Sequence, residues 1–471
     1  MARRAPALGR REDPGDGHGA QGRGRRSAPG GTGSIPAIAR VWALRLLRDI
    51  AEKGAYANLA LARLPADLAA RDRALATELV AGTTRMRRAL DHALGIHLSR
   101  PVDALDPALR SVLRLGSYQL LYLTRIPARA AIHESVALAR QTGHEGHAKI
   151  ANAVLRKVSQ TPPGALPWPA EPIEAIATRH SYPDWIITLW ARERGLEEAE
   201  QIARAQNEPL PVVLRVNTLK VSREALLERF AAHGIAAEPS RLAPEGVRLG
   251  EAAAIPGLPG YDEGWWYVQG EAAMLAASAL DPQPGETIAD IGAAPGGKAT
   301  HLAERMRDTG RVLAVEPHAG RLALVVENAR RLGISCIEPV QRSGEEPPGS
   351  PVDRALVDAP CSGLGTLYRK ADLRWRMTPE EAAKLPELQL GLLEAAAVAV
   401  KPGGALLYAT CTISRAENEG VAESFLARHP EFSPGVFGAG EWRDGARAGM
   451  IQLLPHRHGT EGFFLARFDR C

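Results

Sequence analysis

Two short stretches each end an apolar run in a cysteine set beside polar residues. "VDRALVDAPCSGLG" carries Asp358, Pro360 and Cys361, and "GGALLYATCTISRAENE" carries Thr410 and Cys411. If both runs are parallel strands of one sheet, both thiols emerge at the carboxyl ends, where ligands of such sheets sit. A cysteine is often only a small buried hydrophobe, but two at strand ends beside polar groups point to chemistry. Two thiols and a carboxylate fit one reaction well. Cytosine C5 is a poor nucleophile toward a methyl sulfonium, and a thiolate adding at C6 converts the ring to an enamine whose C5 can attack. A carboxyl group near N3 can share the proton that stabilises the adduct. The C5 proton must then leave before the thiol can, so one cysteine attacks and the other assists release.

A third stretch, "ADIGAAPGGKATH" (289–301), reads as a strand end, a glycine turn and a helix start. Gly292, Ala293, Ala294, Pro295, Gly296, Gly297 and Lys298 come close to a phosphate-gripping loop. That loop needs Ser or Thr after its lysine to hold magnesium, and here Ala299 follows. The G-x-G-x-x-G spacing of a dinucleotide site is also absent. The next strand, "RVLAVE", ends in Glu316, where a carboxylate can accept both hydroxyls of a ribose. A ribose without a pyrophosphate grip suggests a nucleoside ligand, of which S-adenosylmethionine is the common one.

These residues need a scaffold, and its texture changes along the chain. From 36 to about 160 the apolar spacing is helical, as in Val41, Leu44, Leu47 and Ile50, or Leu109, Leu113, Leu120 and Leu123. This predicts an all-helical bundle over 36–160. "SQTPPGALPWPAEP" (159–172) holds five prolines and predicts a linker over 161–172. Residues 173–270 read as mixed α/β, with helical patterns around 186–206 and 222–233 and a strand at "PVVLRVN". Over 271–471 short apolar runs alternate with helical stretches, which predicts a doubly wound parallel sheet, a Rossmann-like α/β domain.

The formal charge of +4 lies entirely in residues 1–35, where seven arginines face three acids. The rest is neutral, so net charge gives no argument for a basic binding face. The Gly/Arg/Pro-rich tail is expected to be a disordered basic segment. No apolar run reaches membrane length and no secretory signal is visible, so a cytoplasmic protein without membrane contact is expected. The four cysteines form no CxxC pair, and His456 and His458 in "PHRHG" read as surface residues. No metal is expected.

The motifs "DIGAAPGGKATH", "DAPCSG", "YATCTISRAENE" and "LPELQ…KPGG" together resemble those of the RNA cytosine-5 methyltransferases. The helical part, with "RDRALATELVAGTTR", "LGSYQLLYLTRIPARAAIHESVALA" and "NAVLR", is similar to a NusB-type RNA-binding domain. "RHSYPDW" and "LRVNTLK" match the segment between, and "QLLPHRHGTEGFF" matches the closing strands. The combination, from about 36 to 469, is similar to bacterial small-subunit (16S) ribosomal RNA methyltransferases of the B type.

The resemblance implies Cys411 as nucleophile, Cys361 as the thiol of product release, and catalytic roles for Asp358 and Lys298. S-adenosylmethionine would lie against Gly292 to Lys298, Glu316, Arg321, Ser343 and Asp358. RNA contacts are implied for Arg215, Asn217, Arg369, Asp372 and Trp375. A monomer acting on small-subunit ribosomal RNA is expected. The alternatives are transfer RNA or another RNA as substrate, or a non-catalytic antitermination-type RNA binder. Four positions depart from the pattern. Gly292 stands where Cys is usual and Glu316 where Asp is commoner. Gly270 and Glu461 both stand where Asp is usual. The third strand, "CIEPVQRSGEEPP", also lacks the usual adenine-binding acid, for which Ser343 or a backbone carbonyl could substitute.

Overall fold

The computed structural model describes residues 37–143, 145–250, 255–438 and 441–471. The tail expected over 1–35 lies outside them. Helices Ile38–Lys53, Ala70–Arg85, Arg87–Gly95, Pro107–Tyr122, Ala128–Thr142 and Glu145–Val158 build the first part. They share one core that includes Leu46, Leu79, Val80, Leu113 and Leu155. Gly54 ends the first helix in the left-handed region (φ 66°). Asp106 starts the fourth by accepting from the amides of Ala108 and Leu109. The proline-rich stretch does not run free as a spacer. Leu166 is buried and Trp168 stacks on His92 at 5.4 Å, laying the stretch along the helix Arg87–Gly95.

Helices Pro172–His180, Asp184–Arg194 and Leu196–Ala205 follow, the last two separated by Gly195. They close around Tyr182 and Trp190, and share that core with Leu364, Leu367 and Ile413 from further along the chain. Strands β1 (Val213–Val216), β2 (Ala237–Pro239), β3 (Gly246–Leu249) and β4 (Trp266–Val268) form an antiparallel sheet in the order β2-β3-β1-β4. Helix Arg223–Ala232 covers it through Leu226 and Phe230.

The large sheet contains β5 (Thr287–Ile291), β6 (Arg311–Val315), β7 (Ile337–Val340), β8 (Val352–Asp358), β9 (Val400–Thr410), β10 (Phe432–Pro434), β11 (Met450–Leu453) and β12 (Phe463–Arg470). Its order is β10-β12-β9-β8-β5-β6-β7, with β11 also on β12. The strands from β9 to β7 are parallel, and β10, β11 and β12 run antiparallel. The sheet is therefore mixed, with an antiparallel edge on a doubly wound centre. Continuous apolar runs such as "TIADI" and "ALLYAT" follow from cover on both faces. No helix among the described residues is long and apolar enough to cross a membrane.

Candidate functional site

The chain leaves β5 toward β6 on one side, and β8 and β9 lie on the other. The gap between β5 and β8 is thus the switch point at which α/β sheets bind ligands. Gly292, directly after β5, has φ 80°, and a Cβ there would stand 2.6 Å from the Asp358 carbonyl oxygen at the end of β8. Glycine lets the two strand ends approach. The turn continues through a cis Ala294–Pro295 bond into helix Gly297–Arg305, which starts with Lys298 in its first turn. Lys298 Nζ donates to Asp358 Oδ2 at 2.6 Å and lies 5.4 Å from the Phe463 ring centroid.

β8 and β9 are neighbours with Asp358 opposite Ala409, so Cys361 and Cys411 emerge side by side, their sulfurs 3.3 Å apart. Each cysteine is followed by a hydroxyl residue, and both hydroxyls reach one buried carboxylate. Glu417 accepts from the Ser362 amide at 2.8 Å, from Ser362 Oγ, from Thr412 Oγ1 at 3.3 Å and from Gln389 Nε2 at 3.0 Å. Asn418 adds a bond from Nδ2 to the Thr412 carbonyl at 3.1 Å. The two thiol-bearing turns are thereby tied together from behind.

The thiols are not equivalent. The hydrogen bond from Cys361 lowers the Cys411 pKa despite burial, with help from the positive charges of Lys370 and Lys298. Sharing that bond and being buried raise Cys361 well above the ordinary thiol value. Cys411 is the readier thiolate. Burial works against the Lys298 charge, but the Asp358 carboxylate, by field and hydrogen bond, outweighs it and raises the lysine. Asp290, fully buried on β5 below them, is pushed up to about 8 by burial and by Asp358, against Lys298 and the Ala299 amide.

A carboxyl that ionises near 3.8 when unfolded and about 8 when folded binds more protons in the native state, so its contribution falls as pH rises through that window. Asp290→Asn, which stays neutral, should therefore gain thermal stability relative to wild type between pH 5 and pH 8. Parallel melting curves that do not diverge across that range would refute this.

One cavity of 860 Å³ joins these groups to the ends of β5 and β6. Gly292 to Pro295, Gly297, Lys298, Glu316, Arg321, Ser343 and Asp358 line it, with both cysteines. Gly296 sits behind the turn, packed against Val325. Glu316 is 1% exposed and accepts from the His318 amide at 3.2 Å and from Arg321 Nη1. Arg321 also reaches the Ala294 carbonyl, linking the carboxylate to the glycine turn. Ser343 Oγ accepts from the Glu345 amide at 3.3 Å, and Glu345 itself lines the cavity.

Of the residues expected on the RNA side, only Arg369 is exposed and on the cavity wall. The others require correction. Arg215 is 0% exposed and spends its guanidinium on Glu304, on Thr300 Oγ1 at 2.9 Å, on Gln269 Oε1 and on the Gly297 carbonyl. Asn217 is 0% exposed and donates to the carbonyls of Gly264 and Leu332, both at 2.9 Å. Neither has a donor left for a phosphate. Asp372 accepts from the Ala57 amide at 3.1 Å and Trp375 donates to the Thr84 carbonyl at 2.7 Å, so both are seams to the helical part.

Sequence reading missed Glu417, Asp290, Lys370 and Glu345. The "ENE" motif was the available signal for the first. Two of the departures turn out to be paired. A Cβ at 270 would stand 1.7 Å from Glu461 Oε1, so the longer acid at 461 occupies the space that glycine leaves.

Three family models match the chain. They are "16S rRNA methyltransferase RsmB/F" over 277–469, "NusB family" over 37–160, and a "Methyltr_RsmF/B-like, ferredoxin-like domain" over 182–256. A Synechocystis protein named "Probable ribosomal RNA small subunit methyltransferase B" is 39% identical over 92% of this chain and 99% of its own length. The ribosomal RNA small subunit methyltransferase B of Sodalis glossinidius is 36% identical over 91% and 96%. The crystal structure of PH0851 aligns with a TM-score of 0.78 at 29% identity, covering 93% of this chain and 99% of that one. NSun6 from Pyrococcus horikoshii, determined with SFG, aligns at 0.57 and 25% identity over 62% and 99%. With relatives this similar along nearly their whole length, the chain belongs to the ribosomal RNA small subunit methyltransferase B family of S-adenosylmethionine-dependent RNA methyltransferases.

Proposed function

We propose that this protein methylates C5 of a cytosine in small-subunit ribosomal RNA, with Cys411 as nucleophile and Cys361 as the thiol of product release. The observation that carries the reading is the thiol pair 3.3 Å apart beside the Lys298–Asp358 ion pair, at the mouth of a nucleoside-sized cavity. A buried carboxylate at the end of β6 suits the two hydroxyls of a ribose, so the residues fit the cofactor, and the SFG bound to the related NSun6 is an analogue of it. Gly292 to Lys298 would lie along its backbone, Arg321 would hold Glu316 in place, and Ser343 with Glu345 would face the adenine edge. S-adenosylmethionine supplies the electrophilic methyl group.

The chain's own residues do the rest. The Cys411 thiolate adds to C6 while the Lys298 ammonium, relayed through the Asp358 carboxylate it donates to, supplies the proton that N3 takes up and later returns. The displaced electron pair makes C5 the nucleophile that accepts the methyl group. Release needs the C5–H pair to re-form the C5–C6 double bond and the C6–S bond to break. The Cys361 thiol donates its proton to the departing sulfur, and the resulting thiolate takes the proton from C5. A base stacked in a duplex exposes no C6 to attack, so the target is unpaired or flipped out.

The helical part supports an RNA clamp. Between helices Ala128–Thr142 and Glu145–Val158 runs a groove of 830 Å³ lined by Arg129, Arg140, Lys149 and Arg156 against one acid, Glu145. Such a groove suits a phosphate backbone and makes binding salt-dependent.

Purified protein with labelled cofactor should label naked small-subunit ribosomal RNA or its assembling particle, and digestion should place the label in 5-methylcytidine. Label confined to transfer RNA, or on an exocyclic amine, would overturn the reading. No label on any RNA would favour a purely RNA-binding role.

A further inference from the structure

Between β8 and the next long helix, Leu385–Ala399, the segment 366–376 crosses the wall of the reaction cavity. Its only regular structure is one helical turn, Leu373–Arg376. It brings Thr366, Tyr368, Arg369 and Lys370 to the cavity that holds Cys411, and the last two are exposed. Its turns are closed by single backbone bonds, from the Arg369 and Lys370 amides to the Thr366 carbonyl and from Leu373 to Lys370, so where these turns sit against the cavity is set by what grips them. On its inner side Arg374, fully buried, donates to Asn207 Oδ1 at 3.0 Å and to the Ser181 carbonyl at 3.1 Å.

The outer grip comes from the helical part, more than 280 residues earlier in sequence. Arg85 Nη2 donates to the Tyr368 carbonyl at 3.0 Å, and Trp375 Nε1 donates to the Thr84 carbonyl at 2.7 Å. The Arg87 guanidinium covers the Trp375 ring at 4.3 Å. Arg376 donates to the Ala55 carbonyl at 2.6 Å and lies 4.1 Å over the Tyr56 ring.

We propose that the helical part is a positioning element of the reaction site: by gripping Trp375 and Tyr368 it fixes where Lys370 and Arg369 stand beside Cys411. The inference rests on the reading of Cys411 as the nucleophile. Lys370 is the cation that favours the Cys411 thiolate most strongly after the Cys361 hydrogen bond. A displaced segment would therefore leave a less reactive sulfur as well as a misplaced cationic rim. Trp375 and Arg87 act through Lys370 and touch no substrate, so both are positioning residues. Trp375 serves the site through the joint behind it, which is why a residue with an RNA-facing motif is found turned away from the cavity.

The test is the pH profile of Cys411 alkylation by iodoacetamide in the full-length protein without RNA, read on the Cys411 peptide by mass spectrometry. Lys370→Ala should slow alkylation at pH 6, below the Cys411 pKa of about 7, roughly threefold, the effect of half a pKa unit on thiolate fraction there. Trp375→Ala should reproduce most of that, and Trp375→Phe, which keeps a ring under Arg87 but loses the donor to Thr84, should fall between it and wild type. If Trp375→Ala melts too low to measure, Arg87→Ala takes its place. A wild-type profile in the joint variants, or in Lys370→Ala, would overturn the inference. A failed nucleophile assignment would show separately, as methylation persisting in Cys411→Ala.

Discussion

Cys361→Ala, incubated with S-adenosylmethionine and its RNA substrate, should accumulate a protein–RNA adduct that survives denaturant, and Cys411→Ala should form none. The asymmetry follows from the electrostatics of the pair. Cys411 receives the Cys361 hydrogen bond and faces two lysines, which together favour its thiolate, whereas burial and that same bond keep Cys361 protonated. Removing Cys361 leaves the nucleophile in place but takes away the group that returns a proton to the leaving sulfur. Turnover should fall in both variants by roughly a thousandfold or more, because groups that act as a unit lose most of their effect together. Denaturing gels of labelled RNA separate the two. An adduct in Cys411→Ala and none in Cys361→Ala would reverse the assignment.

Glu417→Gln should cost on the order of a hundredfold in activity without touching a reacting atom. The Glu417 carboxylate accepts four hydrogen bonds, from Ser362 backbone and side chain, Thr412 and Gln389. An amide would turn a donor toward groups that are themselves donors. Burial raises the Glu417 pKa, opposed by the bonds from Ser362, Gln389 and Thr412. Losing an acceptor of this kind in the interior costs about 1–3 kcal/mol, and the larger effect is on geometry. The residues after both cysteines would no longer share one anchor, and displacements near 1 Å at a reacting centre cost on the order of a hundredfold in rate. Thermal melts and single-turnover methylation test both halves. A variant that melts several degrees lower yet turns over at the wild-type rate would show the tie to be structural only.

That the proposed reacting side chains share a cavity was legible because each sits in a short motif at or just after a strand end, where type and neighbours suffice. Cys361, Cys411, Asp358, Lys298 and Glu316 all gather in one cavity. Residues whose meaning depends on which way they face were not. Arg215 looked like an RNA contact because Leu214 and Val216 on either side of it point to the opposite face of the strand, which leaves Arg215 and Asn217 together on what reads as a polar face. What covers that face is Glu304 and Thr300, more than 80 residues further on, which no local pattern announces. For Trp375 there was no local signal, because its partner Thr84 is 291 residues away. Nor does any pattern within residues 159–172 reveal that a proline-rich stretch will lie on His92.

Arg215 bears on the history of the fold. Three family models tile this chain as though it were assembled from separable modules, yet β1 of the middle module sends its arginine into the first helix of the catalytic one. Glu304, 3% exposed, has Arg215 as its cation. Stripping one partner from a buried pair costs about 3–5 kcal/mol, a large share of what holds an ordinary domain together. A recombination or truncation point between residues 256 and 277 would break this bond, so these two modules can be inherited and exchanged only as a couple. The helical part, joined at Trp375 and Tyr368 through backbone carbonyls, at Asp372 through the Ala57 amide and at Asp184 through the partly exposed Arg88, has no fully buried ion pair across its border among the described residues.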